Sequence, residues 1–162
     1  MSHLERSVNL LSLLTEAINP TGSNSPDPLI ESVVVNYLLT TTYADLEIGV
    51  RAILKEYGER SISEDRVLTY FDAASKKIVR SIKCTELAGV LKMFDIACQR
   101  HFQDSINGTP EQLAYDRIVA GRHDQTHNLG SEITLEEFSA DIASCDAILA
   151  KFENALRCTC HS

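Results

Sequence analysis

Apolar residues recur every three to four positions through almost the whole chain, and this spacing constrains the fold more than any other feature of the sequence. A period of about 3.6 residues lines one face of a helix, whereas a half-buried strand alternates at every second residue. No convincing alternating run bounded by turn signals is present. The sequence therefore predicts an all-α fold, an up-and-down bundle of about five to six helices.

Turn-forming and capping residues divide this helical pattern. The segment "NPTGSNSPDP" predicts a loop after the first helix, and the β-branched "TTTY" predicts a bend within the second. Thr85 is the predicted N-cap of the fourth helix. Thr109 with Gln112, and Thr134 with Glu137, have the spacing of capping boxes. The six predicted helices cover about 2–18, 29–57, 64–80 and 85–103, then a stretch from 110 onward and another from 134 onward.

The same period predicts which residues of each helix face the core. Val8 on the first helix, Val33 and Tyr37 on the second, and Leu113 on the fifth are among the predicted inward residues. The last helix has a predicted buried stripe of Phe138, Ile142, Cys145, Ile148 or Leu149, Phe152 and Leu156. Buried thiols are predicted at three cysteines with apolar neighbours, Cys84, Cys98 and Cys145.

Length and composition indicate one soluble globular domain. The chain has 162 residues, of which 44% are hydrophobic and 23% are charged. Its apolar runs are shorter than the roughly 20 residues of a membrane span, and "MSHLERSVNLL" lacks the features of a secretory signal. We expect a cytoplasmic protein without membrane contact, with a domain over residues 1–157 and a short tail at 158–162.

The tail "RCTCHS" holds three residues of the types that bind soft metals, Cys158, Cys160 and His161. Three ligands on a frayed terminus make a poor closed site, because a structural zinc ion takes four. We therefore assign no metal and no cofactor to this chain.

A formal charge of −8 argues against non-specific binding of nucleic acid by bulk electrostatics, because neutralising phosphates requires concentrated cations. A local patch is still possible in "KKIVRSIK", where Lys76, Arg80 and Lys83 have the spacing of one helical face. These three residues are either a solvated face or an RNA-binding stripe. We name them as the candidate RNA-binding residues.

The segment "VAGRHDQTHN" places Arg122, His123 and His127 within six residues. Arginine keeps its charge and grips phosphate through two parallel hydrogen bonds, while histidine exchanges a proton near neutral pH. This pair suits phosphodiester cleavage, and without a carboxylate cluster to hold magnesium a metal-free reaction is the more natural one. The alternatives are a polar helix end and a zinc site at His123 and His127, although the metalloprotease pattern needs a glutamate where Asp124 stands.

Arg122 and His127 are five residues apart, which separates them by about 140° around a straight helix. One straight helix would therefore not direct both side chains to one small ligand. Either the helix ends between them, as "NLG" allows, or the site is shared with another surface.

The form of "RHDQTH", an arginine, a polar residue, three further residues and a histidine before a final helix, resembles the HEPN family. The resemblance implies a helical bundle that pairs so that two copies of the motif face one cleft. It also implies a metal-independent ribonuclease of the kind found in toxin–antitoxin and phage-defence systems. Helix order extends the resemblance over most of the chain, while only Arg122, His123 and His127 match specifically.

The resemblance also implies a role for each matched residue. Arg122 corresponds to the arginine that binds phosphate and stabilises the transition state, His123 to a variable polar position, and His127 to the catalytic histidine. Leu129 stands where some of these toxins have a tyrosine that the antitoxin modifies by nucleotide transfer, which puts that mode of neutralisation in doubt. The expected partners are RNA, a second copy and an antitoxin or regulatory protein; the alternative is a non-catalytic module that binds nucleotides or a protein.

Overall fold

A computed structural model of the protein describes residues 3–18, 27–79, 81–124 and 133–157, and every regular element within these ranges is a helix. The seven helices are Glu5–Ile18 (α1), Pro28–Ser61 (α2), Asp65–Ile78 (α3), Cys84–Phe94 (α4), Ile96–Ile106 (α5), Pro110–Asp124 (α6) and Leu135–Arg157 (α7). The predicted all-α bundle is confirmed. In this part of the chain no helix is both long and apolar enough to cross a membrane.

The seventh helix arises because Asp95 divides the predicted fourth helix. Asp95 has extended backbone angles, φ −161° and ψ 146°, and its side chain accepts a hydrogen bond of 2.7 Å from the backbone N–H of Ala97. Aspartate stabilises helix starts in this way and competes with helix interiors. The predicted unbroken helix over 85–103 is therefore wrong, as is the N-cap at Thr85, because the N-cap residue is Lys83.

Both predicted capping boxes open helices. Thr134 and Glu137 bond reciprocally, since the backbone N–H of each donates to the side chain of the other at 2.9 and 3.2 Å. The hydrogen bonds that the Glu137 carboxylate accepts from the Thr134 backbone N–H and hydroxyl lower the pKa of Glu137. The N–H of Gln112 donates to Thr109 Oγ1 at 3.3 Å, while the Gln112 side chain accepts from Gly108 at 3.0 Å. Helices α6 and α7 thus begin where the sequence predicts.

Helix α2 runs through the middle of the molecule and contacts α1, α3, α6 and α7. It continues as one helix through "TTTY", where the hydroxyls of Thr40 and Thr41 each donate to a carbonyl four residues earlier at 3.0 Å. Ser7 on α1 donates to the buried Asp45 on α2 at 2.6 Å, which joins the two helices. Its length lets α2 position side chains against four neighbours.

Helices α6 and α7 are antiparallel neighbours joined by ion pairs along their length. Near the start of α6, the Glu111 carboxylate lies 3.9 Å from the Nζ atom of Lys151, which is near the end of α7. Arg117, further along α6, lies 3.2 Å from Asp141 near the start of α7. The C-terminal turn of α6, which carries the motif arginine, is therefore next to the beginning of α7.

Every helix except α3 contributes buried residues to the core. Helix α3 packs against α2. The predicted stripe of α7 is confirmed, and Phe152 packs edge-to-face against Phe102 with ring centres 6.0 Å apart. The three cysteines predicted to be buried are buried and free. Burial raises the pKa of Cys84 to about 12, so this thiol stays protonated at neutral pH.

Four predicted inward residues are exposed instead, namely Val8, Val33, Tyr37 and Leu113. Leu11, Leu46 and Ile118, one on each of the same three helices, are buried, so the helices are not rotated as a whole and only part of each apolar stripe faces the core. On α1 the neighbouring Ser7 is buried in place of Val8, because Asp45 supplies a partner for its hydroxyl. On α2 the buried residues of this region are Val34, Val35, Leu38 and Leu39. Helical period alone does not show which part of an apolar stripe a neighbouring helix covers.

Tyr115→Phe is expected to lower the free energy of unfolding by about 1–3 kcal/mol. Tyr115 is fully buried, and its hydroxyl donates to the carbonyl of Ile82 at 2.6 Å. The phenylalanine ring would keep the packing but leave this carbonyl without its partner. Denaturant unfolding measures the difference. Tyr70→Phe, at an exposed position on α3, should change stability by less than about 0.5 kcal/mol; an equal loss in both variants would contradict the role of the buried bond.

Candidate functional site

The C-terminal turn of α6 lies close against α2 because Gly121 has no side chain. A Cβ atom there would lie 2.9 Å from Ile133 Cδ1 and 3.2 Å from Leu39 Cδ1. Both atoms are the ends of side chains that can shift, so alanine forces a small adjustment and a larger residue forces the helices apart. This approach brings the next residue of α6, Arg122, within reach of α2.

Arg122 lies over an aromatic ring of α2. Its Cζ atom is 4.6 Å from the ring centre of Tyr43, within the range of a cation–π contact. Tyr43 is only 6% exposed, while the Arg122 side chain is half-buried. Within the described part of the chain Arg122 forms no ion pair with a carboxylate. The predicted phosphate-binding arginine is therefore held by a ring instead of an acid.

Less of the other two motif residues, His123 and His127, lies within the described part of the structure. His123 follows Arg122 within α6, whose bounds are Pro110–Asp124, and its side chain is not described. His127 and Leu129 lie outside the described residues, as do Cys158, Cys160 and His161 of the tail. The angular separation of Arg122 and His127 around a helix therefore remains a prediction from the sequence. The same holds for the alternative of a zinc site at His123 and His127.

The candidate RNA-binding residues do not line one helical face. Lys76 lies in the last turn of α3, which ends at Ile78, and Lys83 is the N-cap residue of α4, so the spacing argument across them is wrong. Arg80 lies outside the described residues. The Lys76 ammonium is 2.6 Å from Asp72, which neutralises part of its charge. A continuous basic stripe therefore does not follow from this spacing.

Carboxylates near the motif are engaged in holding helices together. Asp45, two residues after Tyr43, accepts from Ser7 and pairs with Arg6 on α1. Asp141 at the start of α7 pairs with Arg117, and burial raises the pKa of Asp141. Among the described residues no three His, Cys, Asp or Glu side chains cluster as metal ligands.

Two residues of this region were not singled out from the sequence. Tyr43 belongs to "TTTY", which indicated only a bend, and Gly121 stands directly before Arg122. A glycine beside a charged residue inside a helical pattern is a weak signal of close helix packing. No signal in the sequence links Tyr43 to Arg122, because the two are far apart in the chain.

Comparison with known proteins gave no match to a protein-family model, to a curated protein or to a solved structure.

Proposed function

We propose that this protein is a cytoplasmic, homodimeric endoribonuclease of the HEPN type, a toxin or phage-defence effector that cleaves RNA without a metal ion. One observation carries the proposal: Arg122, a half-buried residue in the last turn of α6 and five residues before His127 in the sequence, has its guanidinium over the ring of Tyr43. Phosphodiester cleavage by an internal nucleophile requires at least a fixed positive charge and a group that moves a proton, and Arg122 and His127 are the residues of the motif that could supply them.

In the proposed reaction the ribose 2′-hydroxyl attacks the adjacent phosphorus. The 2′-oxygen loses its proton to His127, and the bond between phosphorus and the 5′-oxygen breaks. That oxygen takes up a proton from water, His127 later releases its proton to the solvent, and the products are a 2′,3′-cyclic phosphate and a 5′-hydroxyl. Arg122 stabilises the negative charge that develops on the phosphoryl oxygens. His123, at the variable position, supplies a polar contact that asparagine can replace.

The proposed second copy has a surface to pack against on α2. Leu29, Val33 and Tyr37 are spaced four residues apart and are 71%, 61% and 57% exposed, so they form an apolar stripe along one side of the helix. Tyr37, at the end of this stripe nearest Tyr43, is about 9 Å from it along α2, and Val33 is about 15 Å away. A two-fold axis pairs the same stripe with itself, and its Tyr37 end is the part of the stripe nearest the level of α2 that contacts Arg122.

Val33→Glu is expected to convert the dimer to a monomer. A charge on the stripe would have to be desolvated in the interface, whereas in the monomer it stays in water. Light scattering should give about twice 18.0 kDa for the wild-type protein and 18.0 kDa for the variant. Met93→Glu, at an exposed apolar residue of α4, is the matched control and should remain dimeric. A monomeric wild-type protein at micromolar concentration would remove the shared cleft from the proposal.

The second candidate is a non-catalytic HEPN-fold module that binds nucleotides or a protein partner such as an antitoxin. The net charge of −8 and the pairing of Lys76 with Asp72 favour it, because both weaken the case for extended RNA binding. Incubation of the purified protein with a mixed RNA pool separates the candidates. The ribonuclease produces fragments that Arg122→Ala does not produce, whereas the binding module leaves the RNA intact.

A further inference from the structure

The contact between Tyr43 and Arg122 joins two helices at the residue that the proposed reaction depends on most. We infer that Tyr43 is a positioning residue, whose ring holds the Arg122 guanidinium in the orientation that receives a phosphate. This inference rests on the proposed ribonuclease function. It adds a residue from α2 to a motif that lies entirely within one short segment of the sequence.

Arg122 needs such a support because its side chain is long and flexible. A free arginine samples many rotamers, and fixing it when the substrate arrives costs conformational entropy at that moment. In this structure the guanidinium already lies 4.6 Å from the ring centre of Tyr43. The folded protein has therefore restricted the arginine before RNA binds, which is the condition for effective electrostatic stabilisation.

A ring also supports the arginine without neutralising it. A carboxylate in the same place would compete with the phosphate for the N–H groups of Arg122 and would cancel its charge. The quadrupole of an aromatic ring attracts the cation while the guanidinium keeps its full charge. Asp45 is close to Tyr43 in sequence, but its carboxylate faces α1 and is engaged there by Ser7 and Arg6.

Tyr43 is itself firmly held. It is buried in the middle of α2, the 34-residue helix, with the buried Leu39 and Leu46 at neighbouring turns of the same helix. Leu39 also contacts the position of Gly121, one residue before Arg122. The ring and the arginine backbone are therefore fixed relative to each other by the packing of α2 against α6.

The contact is testable without measuring cleavage. Protons of the Arg122 side chain should show an upfield ring-current shift in the NMR spectrum, identified by its loss in Arg122→Lys. Tyr43→Phe keeps the ring and should keep the shift, whereas Tyr43→Leu should remove it. An ordinary Arg122 shift in the wild-type protein would overturn the inference directly.

The effect on cleavage is then measured on the same variants. Tyr43→Leu should lower kcat by about tenfold with little change in KM, and Tyr43→Phe should keep most of the activity. In an Arg122→Lys background, the Tyr43→Leu change should cost much less than it does alone, because the lysine no longer benefits fully from the ring. Leu54→Ala is the control for lost packing: it is buried on α2 about 16 Å further along the helix and should leave kcat unchanged.

The outcomes distinguish failure of the inference from failure of the proposed function. If Tyr43→Leu and Leu54→Ala lower kcat equally, or if Tyr43→Leu costs the same in both arginine backgrounds, Tyr43 has a structural role alone and the inference is wrong. If the ring-current shift is present but the wild-type protein cleaves no RNA, the ribonuclease proposal fails, and the role of Tyr43 in the reaction fails with it.

Discussion

Arg122→Ala is expected to lower the rate of RNA cleavage by about a thousandfold while the helical circular-dichroism spectrum stays that of the wild type. The guanidinium neutralises charge that appears on the phosphoryl oxygens only as the transition state forms. Its loss should therefore lower kcat more than it raises KM. Because Arg122 is half-buried at the end of α6 and forms no ion pair within the described residues, removing it costs the fold little.

His127→Ala should have an effect of similar size, because no other residue of the motif is assigned the proton transfer. His123→Asn should keep much of the activity, since that position requires only a polar side chain. Arg157→Ala is the matched control: it removes an arginine from the last turn of α7, where it pairs with Glu153. Full activity in His127→Ala would show that the proton carrier is assigned to the wrong residue.

An RNA substrate with a single 2′-deoxynucleotide on the 5′ side of the scissile phosphate should resist cleavage at that bond completely. The 2′-hydroxyl is the nucleophile in the proposed reaction, and its position next to the phosphorus gives it a large effective concentration. Without it neither His127 nor Arg122 has a bond-forming step to assist. Cleavage of neighbouring ribonucleotide bonds in the same molecule is the internal control.

The same assay tests the metal independence of the reaction. Cleavage should persist in EDTA, and the products should carry a 2′,3′-cyclic phosphate and a 5′-hydroxyl, which mass spectrometry identifies. Normal cleavage of the deoxy substrate would refute attack by the 2′-hydroxyl. Cleavage that EDTA stops and magnesium restores would return His123 and His127 to consideration as metal ligands.

The local rules of helix formation made much of the fold predictable. Apolar spacing identified the helices, and the capping boxes at Thr109 and Thr134 gave the starts of α6 and α7, because a cap depends only on residues within one turn. Helix α7 was predicted with its buried face correct because its stripe is long and consistently apolar. The division at Asp95 was not predicted, since the apolar pattern continues across it.

Other features depended on how the helices pack. Val33 and Tyr37 are apolar and have helical spacing, yet they are exposed, while Val34, Val35, Leu38 and Leu39 of the same region are buried. Lys76 and Lys83 have helical spacing, but the turn between α3 and α4 separates them. The apolar period of a helix relates its residues to one another. It does not show which neighbouring helix, if any, will cover each face.

The sequence by itself determined the all-α class, most helix boundaries and the motif of Arg122, His123 and His127, because these follow from interactions between residues close in the chain. Only the tertiary structure placed Tyr43 beneath Arg122. That contact depends on α6 approaching α2 at Gly121, and the approach results from the packing of several helices around one core. Residues distant in the chain become neighbours only through that packing, so local sequence patterns could not predict the contact.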